Sequence, residues 1–273
     1  MKKLFITLFL LAFCVPISGA GVTQDKLKVI ARKNAAVASL CTSCTPGDPS
    51  DQFCEDADNA GALWCSYTDD ISGTNTVAAT AISGNLSACS KRGSNAVQMT
   101  LDGAQGDSAA KYYTISSTGT LYFSSYTNIM SYSGFDTSDD RVTLTEFYDT
   151  TNGWQVYVVF VNYAGSIELQ LIMRSAEDSY SMVRGPTIAS IGLGTWFQLE
   201  MYFVANTTNG AWMKVNSTQY TLADGETTSN YTLERVYIGS DGSEGLGIGA
   251  GDAITVQYDL IQADKTAELG ACD

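Results

Sequence analysis

The chain has 273 residues, 29 acidic against 15 basic for a formal net charge of −14, and no histidine. That balance disfavours nucleic acid or an anionic membrane as a partner and favours solubility in an exported protein. The missing histidines exclude a His-based triad and a His-ligated metal, so acid–base work would fall to carboxylates, Tyr or Lys.

Residues 1–20 read as a signal peptide. Lys2 and Lys3 give a basic start, Leu4–Val15 is an apolar run, Pro16 breaks it, and Ser18-Gly19-Ala20 supplies small residues for cleavage after Ala20. The run is too short for an ordinary membrane span, and no later stretch is long and apolar enough to make one. Cys14 follows Leu11-Ala12-Phe13, where the bulky Phe13 argues against lipidation. The expected location is extracellular, secreted or at the cell surface.

Residues 21–94 read as a lead-in. Thr23–Leu40 is predicted as a helix, with Thr23 as N-cap and Leu27, Ile30, Ala31, Val37 and Ala38 as its apolar stripe. Six cysteines outlast cleavage: Cys41, Cys44, Cys54, Cys65, Cys89 and Cys272. An even number in an exported chain reads as three disulfides of open connectivity, with Cys272 expected to tie the tail to the N-terminal segment. Cys41-Thr-Ser-Cys44 has the spacing of a redox pair or half a zinc site, but neither a histidine nor a second such pair accompanies it, so a structural bridge is the reading. Phe53, Leu63, Trp64 and Tyr67 are candidate anchors onto the main body.

From about Ala96 the chain alternates apolar and polar residues. Candidate strands are Ala96–Leu101, Tyr112–Ser116, Thr120–Tyr126, Arg141–Tyr148, Trp154–Tyr163, Ser166–Arg174, Trp196–Val204, Ala211–Asn216, Gln219–Leu222, Arg235–Ile238 and Ile254–Ala263. In Trp196–Val204, Phe197, Leu199, Met201 and Phe203 fall on one face and Trp196, Gln198, Glu200 and Tyr202 on the other. Thr151-Asn152-Gly153, Ala164-Gly165, Asn209-Gly210 and Ala223-Asp224-Gly225 punctuate the strands, and Asn209-Gly210 is the strongest hairpin signal. None of the four prolines falls inside a proposed strand. The pattern predicts an all-β, antiparallel two-sheet sandwich over residues 95–273.

Gly194-Thr195-Trp196-Phe197-Gln198-Leu199-Glu200 resembles the Gly-x-Trp-aromatic strand opening of laminin-G-like domains. A turn at Asn206–Gly210, a second strand Ala211–Asn216, a strand ending in Ile238-Gly239 and a last strand Val256–Ile261 follow in the matching order. Together, over about Asn95–Thr266, they resemble the concanavalin A-like lectin/glucanase jelly roll. The resemblance implies a jelly-roll fold and members that often bind calcium. The last strand carries Tyr258-Asp259 where many relatives carry paired acids, which removes support for a metal there. The Glu-x-Asp-x-x-Glu run of sandwich glycosidases and the Gln-Ile-His element of alginate-lyase-like relatives are absent, so their catalytic template does not transfer.

Trp196, Tyr202 and Trp212 are the candidate sugar-stacking residues, with Gln198, Glu200, Lys214 and Asn216 as candidate hydrogen-bonding partners on the same face. The opposing reading is that Trp196 covers the sandwich edge under a loop and Trp212 packs on the lead-in helix. Glu168 and Glu200, if on neighbouring strands, would supply the two carboxylates of a glycoside hydrolase; otherwise each is a solvated residue paired with Lys214 or Arg174. Asp136, Asp139 and Asp140 form a candidate calcium loop, and Asp241-Gly-Ser-Glu244 a second; solvated turns are the competing reading. No other cofactor is expected. Asn85, Asn206, Asn216 and Asn230 begin Asn-x-Ser/Thr triplets, read as incidental to a Ser/Thr-rich chain. These observations predict a non-catalytic glycan- or cell-surface-binding protein. The alternatives are a polysaccharide hydrolase or lyase and an adhesive surface protein docking to other proteins.

Overall fold

The alternating segments pair into two antiparallel sheets that close over one apolar core. The computed structural model describes residues 52–55, 67–72, 75–81, 95–102, 108–137, 140–177, 179–222, 225–240 and 252–265. In chain order the strands are β1 (Gln52–Glu55), β2 (Tyr67–Ile71), β3 (Thr76–Ala81), β4 (Asn95–Asp102), β5 (Ala109–Thr118), β6 (Thr120–Ser133), β7 (Arg141–Asp149), β8 (Gly153–Tyr163), β9 (Ser166–Arg174) and β10 (Tyr180–Thr187). A one-turn helix α1 (Ile188–Ile191) follows, then β11 (Trp196–Val204), β12 (Ala211–Val215), β13 (Thr218–Thr221), β14 (Leu233–Ser240) and β15 (Ala253–Asp264).

The first sheet runs β13-β12-β11-β6-β15-β4-β3, and the second runs β10-β9-β8-β7-β14-β5-β2. β15 pairs along one side with β6 and on the other first with β4 and then with β1. The segment read as a lead-in thus contributes a strand to the second sheet and two to the first. The predicted signal peptide, the Thr23–Leu40 helix and the Asp241–Glu244 loop lie outside the described residues. So do all the cysteines but Cys54, which falls on β1, and the disulfides with them.

Each sheet turns alternate side chains into the core. Phe197, Leu199, Met201 and Phe203 of β11 are buried there, as predicted, and face Val156, Val158, Phe160, Leu169 and Leu171 of the second sheet within one cluster. Phe123 of β6 meets Phe147 of β7 edge-on across the gap, with ring centroids 6.4 Å apart. Tyr258 of β15 spans the same gap and donates its hydroxyl to the Leu144 carbonyl of β7 at 3.0 Å. Leu144 sits where β7 slips register against β8.

Ala164-Gly165 has positive φ at both residues (51° and 83°) and closes the β8–β9 hairpin, the backbone twist that favours this tight turn. Asn209-Gly210 also closes a hairpin, β11–β12, but through the longer loop 205–210. Asn209 takes the positive φ (56°), while Gly210 is needed for close approach: a Cβ there would sit 2.6 Å from the Val204 carbonyl oxygen. β10 is a strand the sequence does not signal, because Gly185-Pro186 looks like a break. It is an edge strand, where a missing N–H costs no ladder bond, and its register shifts between Arg184 and Thr187.

Candidate functional site

The outer face of the first sheet carries the predicted ligand residues, but not as an open platform. Trp196 is 1 % exposed and packs with Tyr126 and Ala96, and Gln198 and Glu200 are buried too. Their outward position follows from alternation; their expected exposure does not hold. Asn216 is a turn residue with φ 48°, and its Oδ1 accepts from the Gln198 N–H at 3.0 Å, so the side chain ties the β12–β13 turn to β11. Tyr202, Trp212 and Lys214 do come together. Tyr122, Tyr202 and Trp212 stand in a ladder with centroids 4.5 and 5.1 Å apart, and Lys214 Nζ lies 4.5 Å over the Trp212 ring. The rings cover one another's faces, and the ammonium covers the last.

Glu168 and Glu200 are not neighbours. Glu168 lies on β9 in the second sheet and Glu200 on β11 in the first, so the two-carboxylate hydrolase arrangement is not formed. Glu168, 1 % exposed, accepts two hydrogen bonds from Arg184 at 2.7 and 2.6 Å and one from Gln170 at 2.7 Å. Burial pushes its carboxyl up, but these bonds and the charge of Arg184 outweigh it and hold the carboxyl below its ordinary value. Arg184 also lies 4.5 Å over the Tyr163 ring.

The outer face of the second sheet is where charge and aromatic rings converge. Four arginines fall within the described residues, and each occupies an outward position of this sheet: Arg141 on β7, Arg174 on β9, Arg184 on β10 and Arg235 on β14. Arg235 sits in mid-sheet, opposite Tyr148 on one side and Thr114 on the other. Its guanidinium carbon is 4.5 Å over Tyr112 and 5.9 Å from the Tyr148 ring centre, and Nη1 donates to the Tyr237 hydroxyl at 3.2 Å. Tyr237 is opposite Tyr112 and Glu146, and Glu146 is opposite Tyr157, so a buried carboxylate shares the cluster. Burial disfavours the charge on Arg235, but the hydrogen bond to Tyr237 and the surrounding phenols outweigh it and hold its pKa above the ordinary value. Its Nε is buried without a hydrogen-bond partner. A native structure rarely leaves a charged donor so, and an incoming anion is one thing that satisfies it. Sequence reading passed over this site, although outward alternation of Arg235 and Tyr237 on β14, and of Glu146 and Tyr148 on β7, was there to be read.

A third cluster forms at one end of the sandwich. Carboxylate oxygens of Asp136, Asp140 and Asp252 lie within 4.8 Å of one another, while Asp139 lies outside the described residues. Asp252, just ahead of β15, joins Asp136 and Asp140 of the predicted set. The loop's own N–H groups use these acids: Asp140 Oδ2 accepts from the Thr137 N–H at 2.8 Å and Asp252 Oδ1 from the Phe135 N–H at 3.1 Å. The donors suit calcium in kind, and the three carboxylates would supply part of its six to eight oxygens.

Two packed antiparallel sheets of this order make a jelly-roll β-sandwich. Among solved structures, the cellulose-induced protein Cip1 is similar with a TM-score of 0.51 at 15% identity, covering 79% of this chain and 99% of that one. An endo-β-1,4-glucuronan lyase from the fungus Trichoderma reesei gives 0.49 at 13% identity, covering 73% and 90%. An alginate lyase from Pseudomonas aeruginosa gives 0.44 at 11%, covering 63% and 83%. At such identities the likeness is one of fold alone, and it does not single out laminin-G-like domains. No protein-family model and no curated protein sequence matches the chain. No helix among the described residues is long and apolar enough to cross a membrane.

Proposed function

We propose that this is an exported protein that binds an acidic polysaccharide across the outer face of its second sheet, with Arg235 as the receptor for a sugar carboxylate. The observation that carries the reading is the buried, unpartnered Nε of Arg235 inside a ring of three tyrosines. A guanidinium offers carboxylates a planar two-pronged contact, and tyrosines flank it with apolar faces and hydroxyls suited to sugar rings. The chain's net negative charge does not oppose this. Salt screens exposed charges beyond about 8–10 Å, so the local concentration of arginines decides the contact.

The partner class is tested by measuring binding of the mature protein to neutral polysaccharides (cellulose, xylan) and to polyuronates, with wild type and Arg235→Ala. Polyuronate binding lost in the variant supports the reading. Equal binding of neutral and acidic polymers, unchanged in the variant, refutes it.

A second reading, eliminative cleavage of the same polymer, is favoured by the contact between Arg235 and the Tyr237 hydroxyl beside Glu146. Arg235 would neutralise the uronate carboxylate and so acidify the adjacent C–H. A base in the cluster would take that proton, the glycosidic C–O bond would break as a C=C bond forms, and the departing oxygen would be protonated. Tyr237 is the candidate proton carrier. Ultraviolet absorbance of an unsaturated product, abolished in Tyr237→Phe, marks this activity; its absence with retained binding leaves a non-catalytic binder. The Tyr122–Tyr202–Trp212 ladder on the first sheet remains a separate candidate surface for a glycan or a surface protein.

A further inference from the structure

The edge strand β10 presents a stripe at odds with the rest of the sandwich. Tyr180 and Met182, 63% and 52% exposed, are two of the four exposed large hydrophobics among the described residues, and they stand two apart on one strand face. Arg184, with its side chain 56% exposed, continues that face. Alternation turns all three outward, to the side of the sheet that carries Arg235. Tyr180 is held in place: its ring stacks on Trp154 at 4.6 Å and 29°, and Trp154 is braced edge-on by Tyr157 at 4.3 Å. Unlike the rings of the first-sheet ladder, Tyr180 ends its stack and leaves its other face to solvent.

The pairing register sets this platform in the same row across the sheet as Arg235. Tyr180 is opposite Arg174, Trp154 is opposite Tyr148, and Tyr148 is opposite Arg235. The β8–β9 register, Val156 opposite Met173, puts Arg174 one residue from Trp154, so Tyr180, Arg174, Trp154, Tyr148 and Arg235 form a slightly staggered row across the strands. β10 and β14 are four strand spacings apart, about 19 Å at about 4.8 Å each, a span of several sugar rings.

We propose that the Tyr180 face of β10 is a distal subsite for the same acidic polysaccharide, stacking a sugar ring several units along the polymer from the one at Arg235. The inference rests on the reading of Arg235 given above. Arg174 between the platform and Arg235 favours an anionic chain as the occupant, while the charge of Arg184 is already met by Glu168. A second copy of the protein pairing through the β10 edge is disfavoured, because Pro186 and the shift between Arg184 and Thr187 blunt that edge.

The test is binding of a size-fractionated oligogalacturonate and oligoglucuronate series, from disaccharide upward, to wild type, Tyr180→Ala, Tyr180→Phe and Arg235→Ala. Wild-type affinity should rise with length until the oligomer spans the row. Tyr180→Ala should weaken the long oligomers about three- to ten-fold, the worth of one ring contact, and leave the shortest unchanged. Tyr180→Phe should behave as wild type. If Arg235→Ala abolishes binding while Tyr180→Ala alters no length, the subsite is overturned and the central site stands. If Arg235→Ala changes nothing, the underlying reading fails instead. Concentration-dependent dimerisation lost in Tyr180→Ala, with no change in oligosaccharide affinity, would assign the stripe to self-association and overturn the subsite.

Discussion

Tyr258→Phe deletes one oxygen from the middle of the core and tests the way the two sheets are joined. The ring is 1 % exposed, and its hydroxyl donates to the Leu144 carbonyl at 3.0 Å across the sandwich. Phenylalanine fills the same volume, so no cavity adds to the effect. The loss is the net hydrogen bond, about 1 kcal/mol, rising toward about 3 kcal/mol if the Leu144 carbonyl is left unsatisfied. In a domain of this size each kcal/mol moves the midpoint by about 2–4 °C, so the melting temperature should fall by about 2–12 °C. Urea unfolding should show the lower midpoint at unchanged slope. The pH dependence gives a second signature. Burial pushes the Tyr258 hydroxyl well above its ordinary value, so the unfolded chain releases this proton first. Stability should therefore fall as pH climbs above about 10, and Tyr258→Phe should lose that part of the decline. A variant as stable as wild type, with the same alkaline decline, would show that the hydroxyl does not hold the sheets.

Trp196→Ala should cost about 3–5 kcal/mol in chemical denaturation, like other fully buried aromatic truncations, whereas Trp212→Ala, half-buried and covered by Lys214, should cost clearly less; equal costs would undo this division. Glu168, held below the ordinary carboxylate value mainly by Arg184 against the pull of burial, contributes stability that is present above that range and lost as pH falls through its folded value. Arg184→Gln should move this acid limb of a stability–pH profile upward, and an unmoved limb would sink the assignment. Gly239→Ala should destabilise by about 2 kcal/mol or more, because φ is +90° there and a Cβ would meet the Ala109 carbonyl oxygen at 2.2 Å; thermal unfolding at wild-type temperature would contradict it.

The sandwich was legible because period-two burial is a local signal. Trp196–Val204 carries it without a break, and the structure has a strand with those bounds. The signal fades where a strand need not alternate cleanly. β8 buries Tyr157, Val159 and Val161 outward as well as Val156, Val158 and Phe160 inward, so its two faces look alike. β10 is interrupted by Gly185-Pro186, which only an edge position tolerates. The site was harder for a different reason. Alternation shows that Trp196 and Tyr237 both point away from the core, but not which outward face is covered, nor which strands lie side by side. Arg235, Tyr148 and Tyr112 meet only because β7, β14 and β5 are adjacent, a long-range pairing that no spacing in the chain encodes. The same ignorance of strand order made Glu168 and Glu200 look like partners.

The arginines give this molecule a front and a back. Arg141, Arg174, Arg184 and Arg235 all face outward from the second sheet, while Glu200, Asp259 and Asp264 occupy outward positions of the first. A protein of strongly negative net charge would ordinarily be repelled by a polyanion whichever way it turned. Among the described residues Glu146 and Glu168 offset part of the arginine charge on the second sheet and Lys214 part of the acidic charge on the first, but the arginine excess stays on one side, so the repulsion has a direction. An approaching polyanion exerts a torque before any contact forms, and productive encounters come from one hemisphere. Moderate salt, by screening the repelling side first at long range, should speed association, and higher salt should slow it once the arginine contacts themselves are screened. A stopped-flow association rate that only falls as salt is raised from very low levels would show that the segregation is too weak to orient the molecule.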